Sequence, residues 1–229
     1  MNFERFNKLH GLWRFCSYLM DIHLEDCSSK YNPNLQLYLS CGEFKLLSDH
    51  AIYSYGLKYI HFVQAFKELD FRRYDLQHIL VLGLGMGSIP EILQKKFECK
   101  AWFDLVELDA EVIFLFEKYQ DYILEDRHKC YCMDGFDYVR NCNKKYDLIC
   151  MDIFEDDCVP KQYESESFLQ SITHLLADGG WFLYNRLNVS TADRIANERF
   201  NKSFSHQMPG SKILATDYNK IFAFQKIKG

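Results

Sequence analysis

A chain of 229 residues with 48% hydrophobic and 26% charged residues can bury a full core, as one domain with a small appendage. Its net charge of -5 argues against a nucleic-acid partner, which calls for a basic face. No apolar run is long enough to cross a bilayer, and charges interrupt the apolar residues of MNFERFNKLHGLWRFCSYLM, so neither a membrane span nor a signal peptide is expected and the protein is placed in the cytoplasm.

In chain order, Ile22 to Glu25, Leu35 to Ser40 and Glu43 to Leu47 read as short strands broken at Asn32-Pro33-Asn34 and Cys41-Gly42, a small antiparallel sheet. Asp49 to Gly56, rich in polar tips, is a candidate substrate wall that leads into a helix from about Leu57 to Leu69. Tyr53 and Tyr55 in that wall suit a pocket or alternating core positions equally. His61 on the helix reads as a packed or surface residue.

The stretch HILVLGLGMGSIPEILQKKFECKAWFDLVELD, His78 to Asp109, organises everything after it. Ile79 to Leu82 suits a strand buried on both faces. Gly83, Gly85 and Gly87 then let the backbone turn sharply and approach a ligand without a Cβ in the way. Ser88 and Glu91 have the spacing of a capping box, and Pro90 falls in the first helical turn, where its missing N–H costs nothing. A second apolar strand, Trp102 to Leu108, brings Glu107 and Asp109 about 20 residues past the last glycine, where nucleotide folds keep a ribose-gripping carboxylate.

The alternation continues: a helix over Glu111 to Tyr119, a strand over Lys129 to Met133 ending at Asp134-Gly135, a helix over Phe136 to Asn141, and a strand over Tyr146 to Met151 ending at Asp152. A helix over Ser165 to Leu176 is expected to stop at Ala177-Asp178-Gly179-Gly180 through a left-handed cap. Trp181 to Asn185 is a strand and Ser190 to Arg199 a helix. Lys212 to Ala215 and Ile221 to Gln225 form a closing hairpin that makes the last strand antiparallel. Alternating strands and helices predict an α/β fold, a mostly parallel seven-stranded sheet covered on both faces. The expected division is 1–66 for the N-terminal sheet and connecting helix and 67–229 for a Rossmann-like cofactor-binding catalytic domain.

Ligands in such a sheet sit outside the carboxyl ends of the strands, where strand order reverses. Successive strands end in Gly83, Glu107, Asp134 and Asp152. An acid at a strand end can simply cap the next helix; that reading is taken for Asp109, and ligand contact for Glu107 and Asp134. Only Cys130 and Cys132 of nine cysteines lie close together, no histidine pair has metal spacing, and no metal site is expected. Reduced, mostly buried thiols are the expectation.

Val81 to Gly87, Val106 to Asp109, Asp134-Gly135 and Tyr146 to Asp152 together resemble the spermidine synthases and their relatives, a branch of the class I S-adenosylmethionine-dependent methyltransferase superfamily. The resemblance implies a transferase. Gly83, Gly85, Met86 and Gly87 would take the methionine-derived part of an adenosyl-sulfonium cofactor. Glu107 would take the ribose hydroxyls, and Asp134 with Gly135 the adenine amino group. Asp152 would orient and deprotonate an attacking amine, with Tyr53 beside it.

The chain also departs from that family. Aminopropyltransferases carry an aspartate where this chain has Met86, and their Tyr-(His/Gln)-Glu is here Tyr53-Ser54-Tyr55. The acidic loop after the catalytic strand survives in part, as Asp152-Ile153-Phe154-Glu155-Asp156-Asp157 with Pro160 further on. The acids for holding a diamine are thereby depleted. S-adenosylmethionine is the expected cofactor, with decarboxylated S-adenosylmethionine as the alternative, and methyl transfer to a small acceptor such as an amine the expected reaction. A polyamine aminopropyltransferase and a non-catalytic nucleoside-binding relative are the rival readings. The resemblance leaves room for a homodimer.

Overall fold

The computed structural model describes residues 11–48, 52–155, 157–216 and 218–227. A four-stranded antiparallel sheet comes first: β1 (Ile22–Cys27), β2 (Leu35–Ser40), β3 (Glu43–Leu47) and β4 (Ile52–Ser54), paired in that order. The fourth strand lies in the stretch read as a substrate wall. After a single 3-10 turn at Gly56–Lys58, α1 (Ile60–Glu68) leads to β5 (His78–Leu82). There follow α2 (Ser88–Phe97), β6 (Trp102–Glu107), α3 (Ala110–Tyr119), β7 (His128–Cys132), α4 (Gly135–Asn141), β8 (Tyr146–Met151), α5 (Glu166–Leu175), β9 (Leu176–Leu187), α6 (Thr191–Gln207), β10 (Lys212–Ala215) and β11 (Asn219–Gln225).

The large sheet runs β10-β11-β9-β8-β5-β6-β7. β5 pairs in parallel with both β6 and β8, whereas β11 pairs antiparallel with β9 and β10, as the closing hairpin predicts. Strand order therefore reverses between β5 and β8, so the loops after those two strands lie side by side. β5 is buried on both faces because its residues alternate between two cores. Ile79 and Val81 join Phe62 and Phe66 of α1, Ile92 of α2 and Phe116 of α3. Leu80 and Leu82 join Val139 of α4, Phe168 of α5 and Phe204 of α6. Thus α1, although counted with the N-terminal sheet in the expected division, packs into the core of the large one.

A third apolar cluster joins the two sheets. Leu35, Leu37 and Leu39 alternate along β2 and, with Phe44 and Leu46 of β3, meet Met86, Val112 and Leu115. Polar contacts reinforce the joint. Asp109 caps α3 by accepting from the Glu111 N–H at 3.0 Å, as expected of it. Its other oxygen accepts from the Ser29 hydroxyl and from Asn32 Nδ2 at 3.0 Å. Asp109→Ala is therefore expected to cost about 1–3 kcal/mol, a lost cap plus stranded donors. Amide exchange should rise in 28–34 before it rises in β5; uniform exchange would remove the clamp role.

Three local expectations change. α2 begins behind Gly87, which takes φ +75° and makes no side-chain cap; Glu91 instead receives Lys95 at 2.6 Å and Gln120 at 2.8 Å. No capping box forms, because these interior partners claim the carboxylate. Nor does α5 end in a left-handed glycine: its last cap, Leu176, is extended, and Gly179 and Gly180 lie within β9 beside a break in the β8–β9 register. The glycines shape a strand irregularity, since a Cβ on Gly180 would crowd the Tyr146 and Ala177 carbonyl oxygens at 2.9 Å. The thiols are all free, but Cys150 is the buried one; Cys132 and Cys158 are exposed and the others half-buried. Among the described residues no helix is long and apolar enough to cross a membrane, and no three metal-ligating side chains cluster.

Candidate active site

Backbone hydrogen bonds tie together the rim at the carboxyl ends of β5, β6, β7 and β8. The Gly83 N–H donates to the Val106 carbonyl at 2.9 Å, the Asp152 N–H to Leu82 at 2.8 Å and the Met133 N–H to Glu107 at 3.0 Å. Gly83 has φ +88°, a conformation costly for any side chain, and a Cβ there would overlap the Asp152 carbonyl. Gly87 has no room either, since its Cβ would lie 2.5 Å from the Phe116 ring. With Gly85 also at positive φ, the turn is a tight shelf abutting the start of the Asp152 loop.

Glu107 lies against this shelf. Its Oε2 accepts from the N–H groups of Leu84 at 3.1 Å and Gly85 at 3.4 Å, and its Oε1 from Leu108 at 2.8 Å and Asp109 at 3.1 Å. Burial raises its pKa, and these four backbone bonds oppose the rise. The long contact to Gly85 is the weakest of the four, and the one a competing hydroxyl displaces most readily.

Asp134 is a helix cap as well as a rim acid. Its Oδ1 accepts from the N–H groups of Phe136 at 2.8 Å and Asp137 at 3.2 Å, and its Oδ2 from Gln162 and Tyr163, each at 3.1 Å. Gly135 follows directly, and a Cβ on it would press on Ile153 at 2.8 Å. Next to Gln162 and Tyr163, Glu164 pairs with Arg186 of β9, which also donates to Asn197 at 2.7 Å. The loop after β8 is thus pinned at its far end to Asp134 on one side and to β9 on the other.

Asp152 is the most perturbed acid of the rim. Its Oδ1 accepts from Asn185 Nδ2 at 2.8 Å, and the Tyr59 hydroxyl lies beside both Asp152 and Asn185. Burial pushes the carboxyl up to about 6, the two donors holding it below where burial alone would put it. Tyr59 was not among the residues expected here. It reaches Asp152 from the segment before α1, and no local spacing announces a contact across that much chain. His61 packs edge-on against Tyr59, ring centroids 4.0 Å apart, and burial lowers its pKa to about 4, so it stays neutral. Tyr53 lies on β4, with its side chain outside the described residues; Tyr55 instead meets Ser40 at 3.0 Å and Lys58 at 3.3 Å, in the small sheet.

Met86 differs from its neighbours in the glycine turn. Its side chain is 0% exposed and sits among the leucines of β2 and the residues of α3, so the turn offers a ligand its backbone but no side chain there.

The model of the spermine/spermidine synthase domain matches residues 58–209. The human eEF1A lysine and N-terminal methyltransferase is 30% identical over 119 residues, 47% of this chain and 17% of that protein. The polyamine aminopropyltransferase of Vibrio vulnificus is 27% identical over 117 residues, 50% of this chain and 39% of that one. The chain therefore spans well under half the length of either relative. A crystal structure of human methyltransferase-like protein 13 in complex with SAH covers 73% of this chain and 79% of its own, with a TM-score of 0.59 at 24% identity, which is a likeness of fold.

Proposed function

This chain belongs to the spermine/spermidine synthase domain family, and from that premise we propose that it is a transferase that binds S-adenosylmethionine and methylates an amine nitrogen. The observation that carries the reading is the contact of the glycine shelf with the Asp152 loop at the strand-order reversal, which sets a cofactor turn and a tuned acid against each other. The relatives support the class of acceptor: the human protein is named for modifying a lysine and an N-terminus, the Vibrio one for polyamines.

The residues fit the cofactor as follows. The Gly83–Gly87 turn would run beside its methionine part, Glu107 would accept from the ribose hydroxyls and Asp134 from the adenine amino group. The turn presents a buried thioether side chain where an ammonium without its carboxylate would need an acid, which favours S-adenosylmethionine over the decarboxylated form. When bound, it supplies an electrophilic methyl group and a neutral thioether leaving group. Asp152 receives the proton of the acceptor amine, and an acid with its pKa raised to about 6 suits that task near neutrality. Tyr59 and Asn185 hold the carboxylate in place, so that the barrier falls largely through alignment of nitrogen, carbon and sulfur.

Calorimetry with S-adenosylmethionine, its decarboxylated form and methylthioadenosine tests this reading. S-adenosylmethionine is expected to bind at least as tightly as the decarboxylated form. A clear preference for the latter, with aminopropyl transfer to putrescine, would establish the aminopropyltransferase alternative; no binding of any of the three would reject the cofactor site. In the same titration Glu107→Gln is expected to weaken binding by tenfold or more. A charged acceptor is worth about 1.5–3 kcal/mol, and the new amide opposes backbone donors. An unchanged dissociation constant would remove Glu107 from the site.

A further inference from the structure

Asn185 and Asn219 are 0% and 5% exposed, in strands whose buried neighbours include Phe182, Leu183, Ile221 and Phe222. Burying two amides is costly unless every polar atom is used productively. The register explains how they meet. Ile221 lies opposite Asn185 on the antiparallel β9–β11 pair, and Asn219 is two residues along, on the same face. On the other side, Met151 pairs with Tyr184, which brings Asp152 opposite Asn185. The result is a chain of side chains across three strands: Asn219 Nδ2 donates to Asn185 Oδ1 at 3.0 Å, and Asn185 Nδ2 donates to Asp152 Oδ1 at 2.8 Å.

We propose that Asn185 is a positioning residue for Asp152 and that Asn219 locks it by fixing which end of its amide faces the carboxylate. This rests on the reading of Asp152 as the base. An asparagine amide has two orientations that differ by half a turn about its last bond. With the carbonyl end engaged by Asn219, the amino end must meet Asp152, and the carboxylate is held as an ion ready to take a proton. The reversed amide would set two acceptors against each other at Asp152 and two donors at Asn219. The remaining neighbours do not substitute for this bond. Tyr59 reaches Asp152 from the segment before α1, Cys150 of β8 is the titratable group behind it, and among the described residues no cationic side chain pairs with it.

The test reads the acid directly, without cofactor or acceptor. The carboxyl carbon of Asp152 in aspartate-labelled full-length protein, assigned by its loss in Asp152→Asn, is titrated by NMR. Asn185→Leu keeps the bulk, adds no charge and removes the donor. It is expected to raise the midpoint by about one pH unit, a tenfold gain in proton affinity, since a hydrogen bond to the charged form is lost. Asn219→Leu removes the donor to Asn185 Oδ1 without adding a charge, so it frees the Asn185 amide to turn and is expected to raise the midpoint in the same direction by a smaller amount. A purely structural role moves the melting temperature of either variant and leaves the midpoint where it was. An unmoved midpoint in folded Asn185→Leu overturns the proposal. Should that variant not fold, an unmoved midpoint in Asn219→Leu does the same. A shift in Asn185→Leu with none in Asn219→Leu overturns the lock. Because the titration needs no ligand, a failed calorimetry experiment leaves this result standing, and the reverse.

Discussion

Replacing Met86 with aspartate is expected to destabilise the protein by about 3–5 kcal/mol, the cost of an uncompensated charge in an apolar interior. The Met86 side chain belongs to a buried apolar cluster with Leu35, Leu37, Leu39, Phe44, Leu46, Val112 and Leu115, none of which can hydrogen-bond a carboxylate. Sequence alone puts position 86 where aminopropyltransferases keep a cofactor-binding acid. In the structure it is the peg joining the small sheet to α3. Met86→Leu, which keeps shape and polarity, should cost under about 1.5 kcal/mol. Denaturant unfolding of the three proteins decides the matter. An aspartate variant as stable as its parent, with new affinity for decarboxylated S-adenosylmethionine, would show instead that residue 86 faces the ligand.

Asp152→Asn is expected to lose turnover by 100-fold or more and at the same time to gain stability. The folded carboxyl titrates near 6, against about 3.9 for an unfolded aspartate. An acid with a raised folded pKa penalises the fold wherever it is ionised. The penalty is fully present above about pH 6, fades as the pH falls toward 4, and is gone below the unfolded value. At pH 8 the asparagine variant should exceed its parent by about 3 kcal/mol, and near pH 4 the two should unfold together. The amide fits the same neighbours: its oxygen can accept from Asn185, and the Tyr59 hydroxyl can turn to accept from its nitrogen. Equal stability at both pH values would mean that the ionised carboxylate is not strained, and unchanged turnover would end its candidacy as the base.

The parts of this molecule legible from its sequence are those written in local order. The β5 run, the glycines behind it and the acids at successive strand ends all declare themselves within a few residues, and the alternation of elements gives the sheet. What stayed hidden is decided by contacts far apart in the chain. Tyr59 is one tyrosine among 15, and only the packing of α1 on the large sheet brings it to Asp152. Asn219 looks like a turn residue until β11 is laid beside β9. Ser88 and Glu91 have the spacing of a reciprocal cap, yet Gln120 and Lys95 compete successfully for the carboxylate. Gly179 and Gly180 read as a helix stop because a strand irregularity and a cap ask for the same residue. The side chain of Met86 could not be assigned a direction without knowing where the N-terminal sheet sits.

The contact between Gly83 and the Asp152 carbonyl has a consequence for how such a protein can change over generations. The spacing between donor and acceptor halves is fixed by two main-chain segments touching, with no side chain between them to be exchanged. On the proposed function, substitutions at exposed positions away from this contact alter which acceptor is admitted and leave the spacing of Gly83 and Asp152 as it is. The cost falls on one position: any residue larger than glycine at 83 moves both segments at once.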